Sequence, residues 1–187
     1  MGHLFEVCTG RLQSVEAAVR GGAQRIELCA ALPLDGLTPS MGMLQTIRSL
    51  FPTLTVHVLI RSREGDFVYS EKEVLAMQHD IHAMLPFADG FVCGALTPDG
   101  GIDMPVMRQL IGAADGRPVT FHRAFDRCRD PLKPWNKSSL WVAGVFSPQG
   151  SNPRQSKASP CSVNSADKQT AASSSCQVEV SMSTMSI

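Results

Sequence analysis

Five short apolar segments alternate with amphipathic segments along the first 130 or so residues, and this alternation constrains the fold more than any other feature. One apolar and one amphipathic segment together span about 25 to 30 residues. Strands that alternate with helices in this way form parallel sheets. The predicted strands are residues 4–8, 25–29, 55–61, 90–95 and 118–125. We therefore predict an α/β protein.

Capping residues indicate where the helices between these strands begin. Each predicted cap precedes apolar residues at helical spacing. Ser70 and Glu73 form a capping-box pattern, and the glycines at 21–22 are typical of the end of a first helix. The predicted caps are Ser14, Ser40, Ser70 and Asp103.

Two architectures fit this order of elements, namely a doubly wound open sheet and a (β/α) barrel. The turn after the first strand, "TGRLQS", lacks the G-x-G-x-x-G phosphate loop of a dinucleotide fold. Functional residue types instead lie near the C-terminal ends of the strands, where barrels place their chemistry. They are Cys8, Cys29, Arg61, Cys93 and His122. Because a complete barrel has eight units, four βα units and a fifth strand predict a partial TIM-like barrel.

The composition changes near residue 133. Residues 1–132 are assigned to the partial barrel, and residues 133–187 are rich in serine with one apolar run, "LWVAGVF". Such a segment buries too little apolar surface to offset the entropy of ordering it. We therefore predict a mostly disordered tail.

Charge and hydropathy exclude several classes of partner. The net charge is +0 and no basic stripe is present, which argues against nucleic acid. No apolar run approaches the roughly 18 residues of a membrane span, and the N-terminus lacks the pattern of a signal peptide. A cytosolic protein is therefore expected, whose six cysteines are thiols.

The segments "FEVC" and "RIELC" each place an acid and a thiol two residues apart, and so on one face of a strand. Neighbouring strands lie about 4.8 Å apart, so Cys8 and Cys29 at similar heights can share one ion. Copper(I) is soft and favours thiolate, whereas structural zinc sites use four ligands and C-x-x-C spacings that are absent here. The alternative is that both thiols are small core residues.

Glu6 and Glu27 are unusual in apolar strands, because buried acids are normally paired. One interpretation is an ion network with Arg25, Arg61 or Arg123. The other is an enzyme in which Glu6 and Glu27, together with His122, perform acid–base chemistry.

Further candidates for ligand binding follow the third and fifth strands. In "RSREGDF", Arg61 and Arg63 are candidates for binding an anion, although Arg63 also suits a solvated turn. In "TFHRAFD", His122, Arg123 and Asp126 are candidates for an acid, a base or a ligand contact.

Six blocks of this sequence resemble the copper homeostasis protein CutC family, in order and over residues 1 to about 131. The blocks are "EVC", "GGAQRIELCAAL", "GLTPSMGML", "RSREGDFVYSEKEVLAMQHDI", "ADGFVCGALTPDGGID" and "VTFHRAFD". The resemblance implies a TIM-like barrel, a cytosolic and also nuclear location, and homo-oligomerisation. It also implies copper(I) as the ligand, held by the thiols of the EVC and ELC strands, here Cys8 and Cys29.

The sequence departs from the family pattern in its second half, where the remaining strands are replaced by the serine-rich tail. Ser62 also stands where the family usually has proline. We interpret the chain as a truncated or alternatively spliced member that binds copper(I) rather than catalysing a reaction. One alternative is a barrel enzyme acting on a small anionic metabolite. Another is a non-functional product that folds poorly, because half a barrel leaves strand edges unpaired.

Overall fold

The computed structural model describes residues 4–129, within which five strands alternate with four α-helices. The strands are β1 (Glu6–Thr9), β2 (Arg25–Leu28), β3 (Thr55–Leu59), β4 (Gly90–Cys93) and β5 (Val119–Phe121). The helices are α1 (Leu12–Arg20), α2 (Met41–Leu50), α3 (Glu71–Met84) and α4 (Met104–Ala113). Short 3-10 helices cover Leu32–Leu34 and Arg123–Arg127. The predicted tail, residues 133–187, lies outside the described residues.

The five strands form one parallel sheet in the order β1-β2-β3-β4-β5. Apolar residues of all four helices join a single core cluster with one face of this sheet. A doubly wound protein would carry helices on both faces, whereas a barrel carries them only outside. The structure therefore confirms the predicted α/β class and the predicted partial TIM-like barrel.

The two faces of the sheet have different side chains, because successive residues of a strand point to opposite sides. The outer face packs against the helices and includes Ile26, Val56, Val58 and Phe91, all completely buried. The inner face carries the alternate residues. Along the strands and just past their C-terminal ends these are Glu6, Cys8, Arg25, Glu27, Cys29, Thr55, His57, Leu59, Arg61, Gly90, Val92, Gly94, Thr120 and His122.

Three of the four predicted helix caps are confirmed. The Ser40 hydroxyl accepts a hydrogen bond from the Met43 N–H, and Ser70 with Glu73 forms a complete capping box. The Asp103 carboxylate accepts from the N–H of the third helical residue. These bonds satisfy N–H groups that the first turn of a helix leaves without partners.

The prediction that Ser14 caps the first helix is wrong. Helix α1 begins one turn earlier, because Leu12 joins the core and the Val15 N–H already donates to the Arg11 carbonyl. The strands are also shorter than predicted. The fifth ends at Phe121, since the His122 ring accepts from the Ala124 N–H and starts a 3-10 helix instead.

No helix among residues 4–129 is long and apolar enough to cross a membrane.

Candidate functional site

Cys8 and Cys29 lie side by side on the inner face. Their sulfur atoms are 3.7 Å apart, within contact of each other. Residue 8 is in register with residue 27, and the Cys29 N–H donates to the Thr9 carbonyl, so Cys29 lies one inward position higher than Cys8. The structure therefore brings together the two thiols that the sequence singled out as metal ligands.

The thiol pair has an apolar side and a polar side. Cys29 is 1% exposed and packs with Leu59 and Val92, whereas Cys8 is half-buried beside them. The Cys8 thiol donates to Glu27 Oε1 at 3.8 Å, and the Cys29 thiol donates to the Thr9 carbonyl at 3.5 Å. Both thiols therefore have acceptors for their protons in the folded protein.

The surroundings of Cys8 oppose its ionisation. The hydrogen bond with Cys29 is the first cause, followed by burial and then by the negative charge of Glu27, and together they raise the pKa of the Cys8 thiol far above its ordinary value. A buried thiol next to carboxylates keeps its proton. An ion that binds this pair must therefore displace protons.

Glu6 does not lie at the C-terminal end of the sheet with the thiols. It is the first residue of β1, and its carboxylate accepts from the guanidinium of Arg25, the first residue of β2. Both side chains are largely buried, so they form the structural ion pair that was one of the two interpretations of this acid. The acid–base set of Glu6, Glu27 and His122 is not assembled, because Glu6 and His122 lie at opposite ends of the strands.

Glu27 has no guanidinium partner among the ion pairs of residues 4–129, unlike Glu6. Burial raises its pKa to about 7, and the negative charge of Glu6 contributes in the same direction. The hydrogen bond from Cys8 and the charge of Arg25 only partly oppose these effects. A carboxyl group in this environment exchanges a proton near neutral pH.

His57 is an inner-face residue that the sequence analysis did not single out. It is 3% exposed, lies in register with Glu27, and has no hydrogen-bond partner for its Nδ1 within the described part of the chain. Burial lowers its pKa to about 4, and the charge of Arg25 acts in the same direction. The alternation in "TVHVLIR" places His57 two and four residues before Leu59 and Arg61, and this spacing is the signal that identifies it.

Gly90 provides the space that the His57 ring occupies. A methyl group on Gly90 would lie 2.7 Å from Nε2 of His57. We expect Gly90→Ala to lower the free energy of unfolding by about 1–3 kcal/mol, because overpacking a buried site forces neighbouring groups to shift. Urea unfolding checks this value.

The matched control is Gly112→Ala, a glycine within α4 where an added methyl group meets nothing within 4 Å. That change should raise stability by about 0.5–1 kcal/mol through helix propensity. Equal effects of the two substitutions would show that the His57 contact does not control the result at position 90.

Arg61 hydrogen-bonds to two loops at the C-terminal end of the sheet. It is 2% exposed, and its terminal N–H groups donate to the carbonyls of Leu34, Gly36 and Gly65 at 2.9–3.1 Å. The first two carbonyls belong to the segment after β2, and the third belongs to the turn after β3. The guanidinium also lies over the Phe67 ring, 4.8 Å from its centre. Arg61 therefore shapes the end of the barrel where the sequence placed it.

Arg63 has no donor left for a ligand. Its Nε donates to Glu73 at 2.5 Å, and its terminal nitrogens donate to the Asp66 carboxylate and to the carbonyls of Glu64, Asp66 and Val68. These bonds use all five N–H groups of the guanidinium. They support the interpretation of Arg63 as a turn residue and not as an anion clamp.

Arg123 and Asp126 lie on the surface and pair with each other at 3.4 Å, with side chains 77% and 63% exposed. Arg123 also approaches Asp35 at 3.8 Å. Pairs this exposed contribute little to stability. Neither residue contacts the thiol pair or the inner face through any bond found among residues 4–129.

The described part of the chain contains no group of three or more His, Cys, Asp or Glu side chains arranged to hold one metal ion. Among residues 4–129, Cys8 and Cys29 are the thiols in contact with each other. Cys93 is completely buried in the outer core, and Cys128 lies in the separate cluster around Phe67.

The sequence matches the CutC family over residues 3–145. A CutC family protein from Bacteroides fragilis is 54% identical over 129 residues, which are 68% of this chain and 51% of that protein. The human copper homeostasis protein cutC homolog is 49% identical over 132 residues, which are 70% of this chain and 48% of that protein. The chain therefore spans about half the length of the curated relatives it matches.

A solved structure gives the same result for the fold. The crystal structure of a CutC protein from Streptococcus agalactiae superimposes with a TM-score of 0.65 at 34% sequence identity, covering 68% of this chain and 63% of that one. The family match extends over the region that contains every inner-face residue described above. The chain belongs to the CutC family.

Proposed function

We propose that this chain binds copper(I) through the thiols of Cys8 and Cys29 and serves copper handling. The observation that supports the proposal is the 3.7 Å separation of the two sulfur atoms on the inner face. The name of the human relative, copper homeostasis protein cutC homolog, agrees with this ligand. Copper(I) is among the ions that soft sulfur ligands select.

The sulfur positions fit a two-coordinate ion after a small adjustment. A metal–thiolate bond is about 2.3 Å long, so two sulfurs on opposite sides of one ion lie roughly 4.6 Å apart. The pair at 3.7 Å reaches this spacing if one side chain moves by about 1 Å. Cys8 is the half-buried member of the pair and so the one with room to move.

The small number of ligands favours copper(I) over zinc. Among residues 4–129 no third or fourth His, Cys, Asp or Glu side chain completes a cluster with the thiols. Zinc in structural sites takes four ligands in a tetrahedron. Leu59 and Val92 close the site on one side and supply no donor atoms for a hard ion.

The proposal predicts that Cys8→Ser and Cys29→Ser each weaken copper(I) binding by at least about a hundredfold, because even changes to residues that only hydrogen-bond to a metal ligand cost about 10–100-fold in metal affinity. Competition against a copper(I) chelator under anaerobic conditions measures the affinity. The control is Cys128→Ser, which removes a half-buried thiol outside the pair and should leave the affinity unchanged. If the Cys8→Ser/Cys29→Ser double variant keeps wild-type affinity and a folded circular dichroism spectrum, the thiols are not the ligands.

A further inference from the structure

Arg61 is a buried cation without a counter-ion among residues 4–129. Three of its N–H groups are held by backbone carbonyls, and its Nε–H has no acceptor. The ion pairs of the described residues involve other arginines and not this one. Removing a guanidinium from water costs several kcal/mol unless an opposite charge compensates it. The face of Phe67 at 4.8 Å supplies only part of that compensation.

His122 presents a second unused donor near Arg61. Its Nδ1 accepts the Ala124 N–H at 3.2 Å, so in the neutral ring the proton resides on Nε2. Burial and the charge of Arg61 lower the pKa of His122 to about 4, and the ring is therefore neutral at physiological pH. Its Nε2 is buried and has no acceptor among the residues that the structure describes.

Tyr69 supplies a third unused donor. Its hydroxyl is buried, and its O–H has no acceptor among residues 4–129. Burial raises the pKa of Tyr69 to about 12, against the opposing effects of the positive charges of Arg61 and Arg63 and of a hydrogen bond from the Arg61 side chain. The hydroxyl therefore keeps its proton and remains able to donate.

These donors lie around the ring of Phe67. The Arg61 guanidinium is 4.8 Å from the centre of that ring, and the His122 ring is 4.9 Å from it. Tyr69 packs in the same cluster as Phe67. Continuing the strand register places Arg61, Gly94 and His122 in one row across β3, β4 and β5.

The His122 ring occupies the space that a side chain at Gly94 would fill. A methyl group there would lie 2.7 Å from Cε1 and Nδ1 of His122. The row therefore has a cation on one side, a neutral N–H donor on the other, and a glycine between them. Buried donors are almost always paired in native proteins, so three in one cluster indicate a missing acceptor.

We propose that Arg61 Nε, Tyr69 Oη and His122 Nε2 bind an anionic oxygen of a small molecule, as a carboxylate or phosphate group, at the C-terminal end of β3 and β5. An anion bound among these donors would accept their hydrogen bonds and neutralise the buried guanidinium. This site uses none of the atoms of the thiol pair and does not depend on copper binding.

The test titrates the whole chain with inorganic phosphate and separately with succinate, by calorimetry at constant ionic strength. Tyr69→Phe removes one hydroxyl and keeps the ring. His122→Asn keeps an acceptor for the Ala124 N–H and removes the Nε2 donor. Each variant should weaken binding about tenfold, the equivalent of one hydrogen bond to a charged group. The control, Arg123→Gln, removes an arginine that is 77% exposed at the same end of the sheet and should have no effect.

The two ligands distinguish the sources of the anionic oxygen. Saturable binding of phosphate alone assigns a phosphoryl group, and binding of succinate alone assigns a carboxylate. The proposal is overturned if neither ligand saturates, or if Tyr69→Phe and His122→Asn both bind like the wild type. Copper(I) affinity should be unchanged in both variants, so failure of this proposal and failure of the copper proposal are separate results.

Discussion

Arg61→Met is expected to lower the free energy of unfolding by about 1–2 kcal/mol, because the loss of three hydrogen bonds exceeds the desolvation cost of the guanidinium that methionine removes. The substitution keeps a long side chain but leaves the carbonyls of Leu34, Gly36 and Gly65 without their donors. Each unpaired acceptor in a site of this kind costs about 1 kcal/mol or more. The two loops that Arg61 joins should therefore separate first when the variant unfolds.

Urea unfolding followed by circular dichroism measures this loss. Arg63→Met is the matched control, because it removes an arginine two residues away whose side chain is 35% exposed and whose partners are on the surface. Ion pairs of that kind contribute about 0–1 kcal/mol. If the two variants lose the same stability, the buried carbonyl contacts of Arg61 do not hold the loops.

Glu27→Gln is expected to raise the free energy of unfolding by roughly 2–3 kcal/mol at pH 8. The folded state raises the pKa of Glu27 from its ordinary value of 4.5 to about 7. The folded protein therefore binds more protons than the unfolded chain between these pH values, and its stability falls as the pH rises through them. Glutamine is never charged and so avoids this cost.

The pH dependence provides the sharper test of Glu27. Below about pH 4.5 the carboxyl is protonated in both states, so the advantage of Glu27→Gln should disappear. Thermal or urea unfolding at pH 4.5 and pH 8 gives the difference in stability between Glu27→Gln and the wild type at each pH. The contributions of other titrating groups cancel in each difference. Glu64→Gln, on an exposed loop, should change stability by less than about 0.5 kcal/mol at both pH values. A constant difference between Glu27→Gln and the wild type at the two pH values would contradict the assigned pKa.

The sequence predicted the features that depend on a few neighbouring residues. The caps at Ser40, Ser70 and Asp103 were predictable because each consists of one side chain and an N–H group three residues later. The prediction that Ser14 caps the first helix was wrong because the burial of Leu12 extends the helix by one turn. Local capping rules do not take burial into account. The predicted end of β5 was wrong for a similar reason. The His122 ring accepts a hydrogen bond from the backbone N–H of Ala124, which the strand pattern does not reveal.

The composition of the inner face was predictable from alternation along single strands, but the relative heights of its residues were not. The register of β1 and β2 decides that Cys8 lies opposite Glu27 and contacts Cys29 diagonally. It also places Glu6 next to Arg25. Pairing between strands arises from packing across the whole sheet, which no short sequence pattern contains. Alternation along β3 places His57 on the inner face, whereas only the register shows that it lies opposite Glu27.

The two glycines on the inner face of β4 make positions on neighbouring strands dependent on one another. An imidazole ring from β3 fills the space above Gly90, and another, following β5, fills the space above Gly94. Substitutions at a glycine and at its histidine should therefore be non-additive, because residues in contact change each other's energies. A larger residue at position 90 would be tolerated best when position 57 becomes smaller. Each glycine and its histidine therefore share one fixed volume inside the barrel. The absence of a side chain at positions 90 and 94 is what allows an imidazole ring to lie beside each of them.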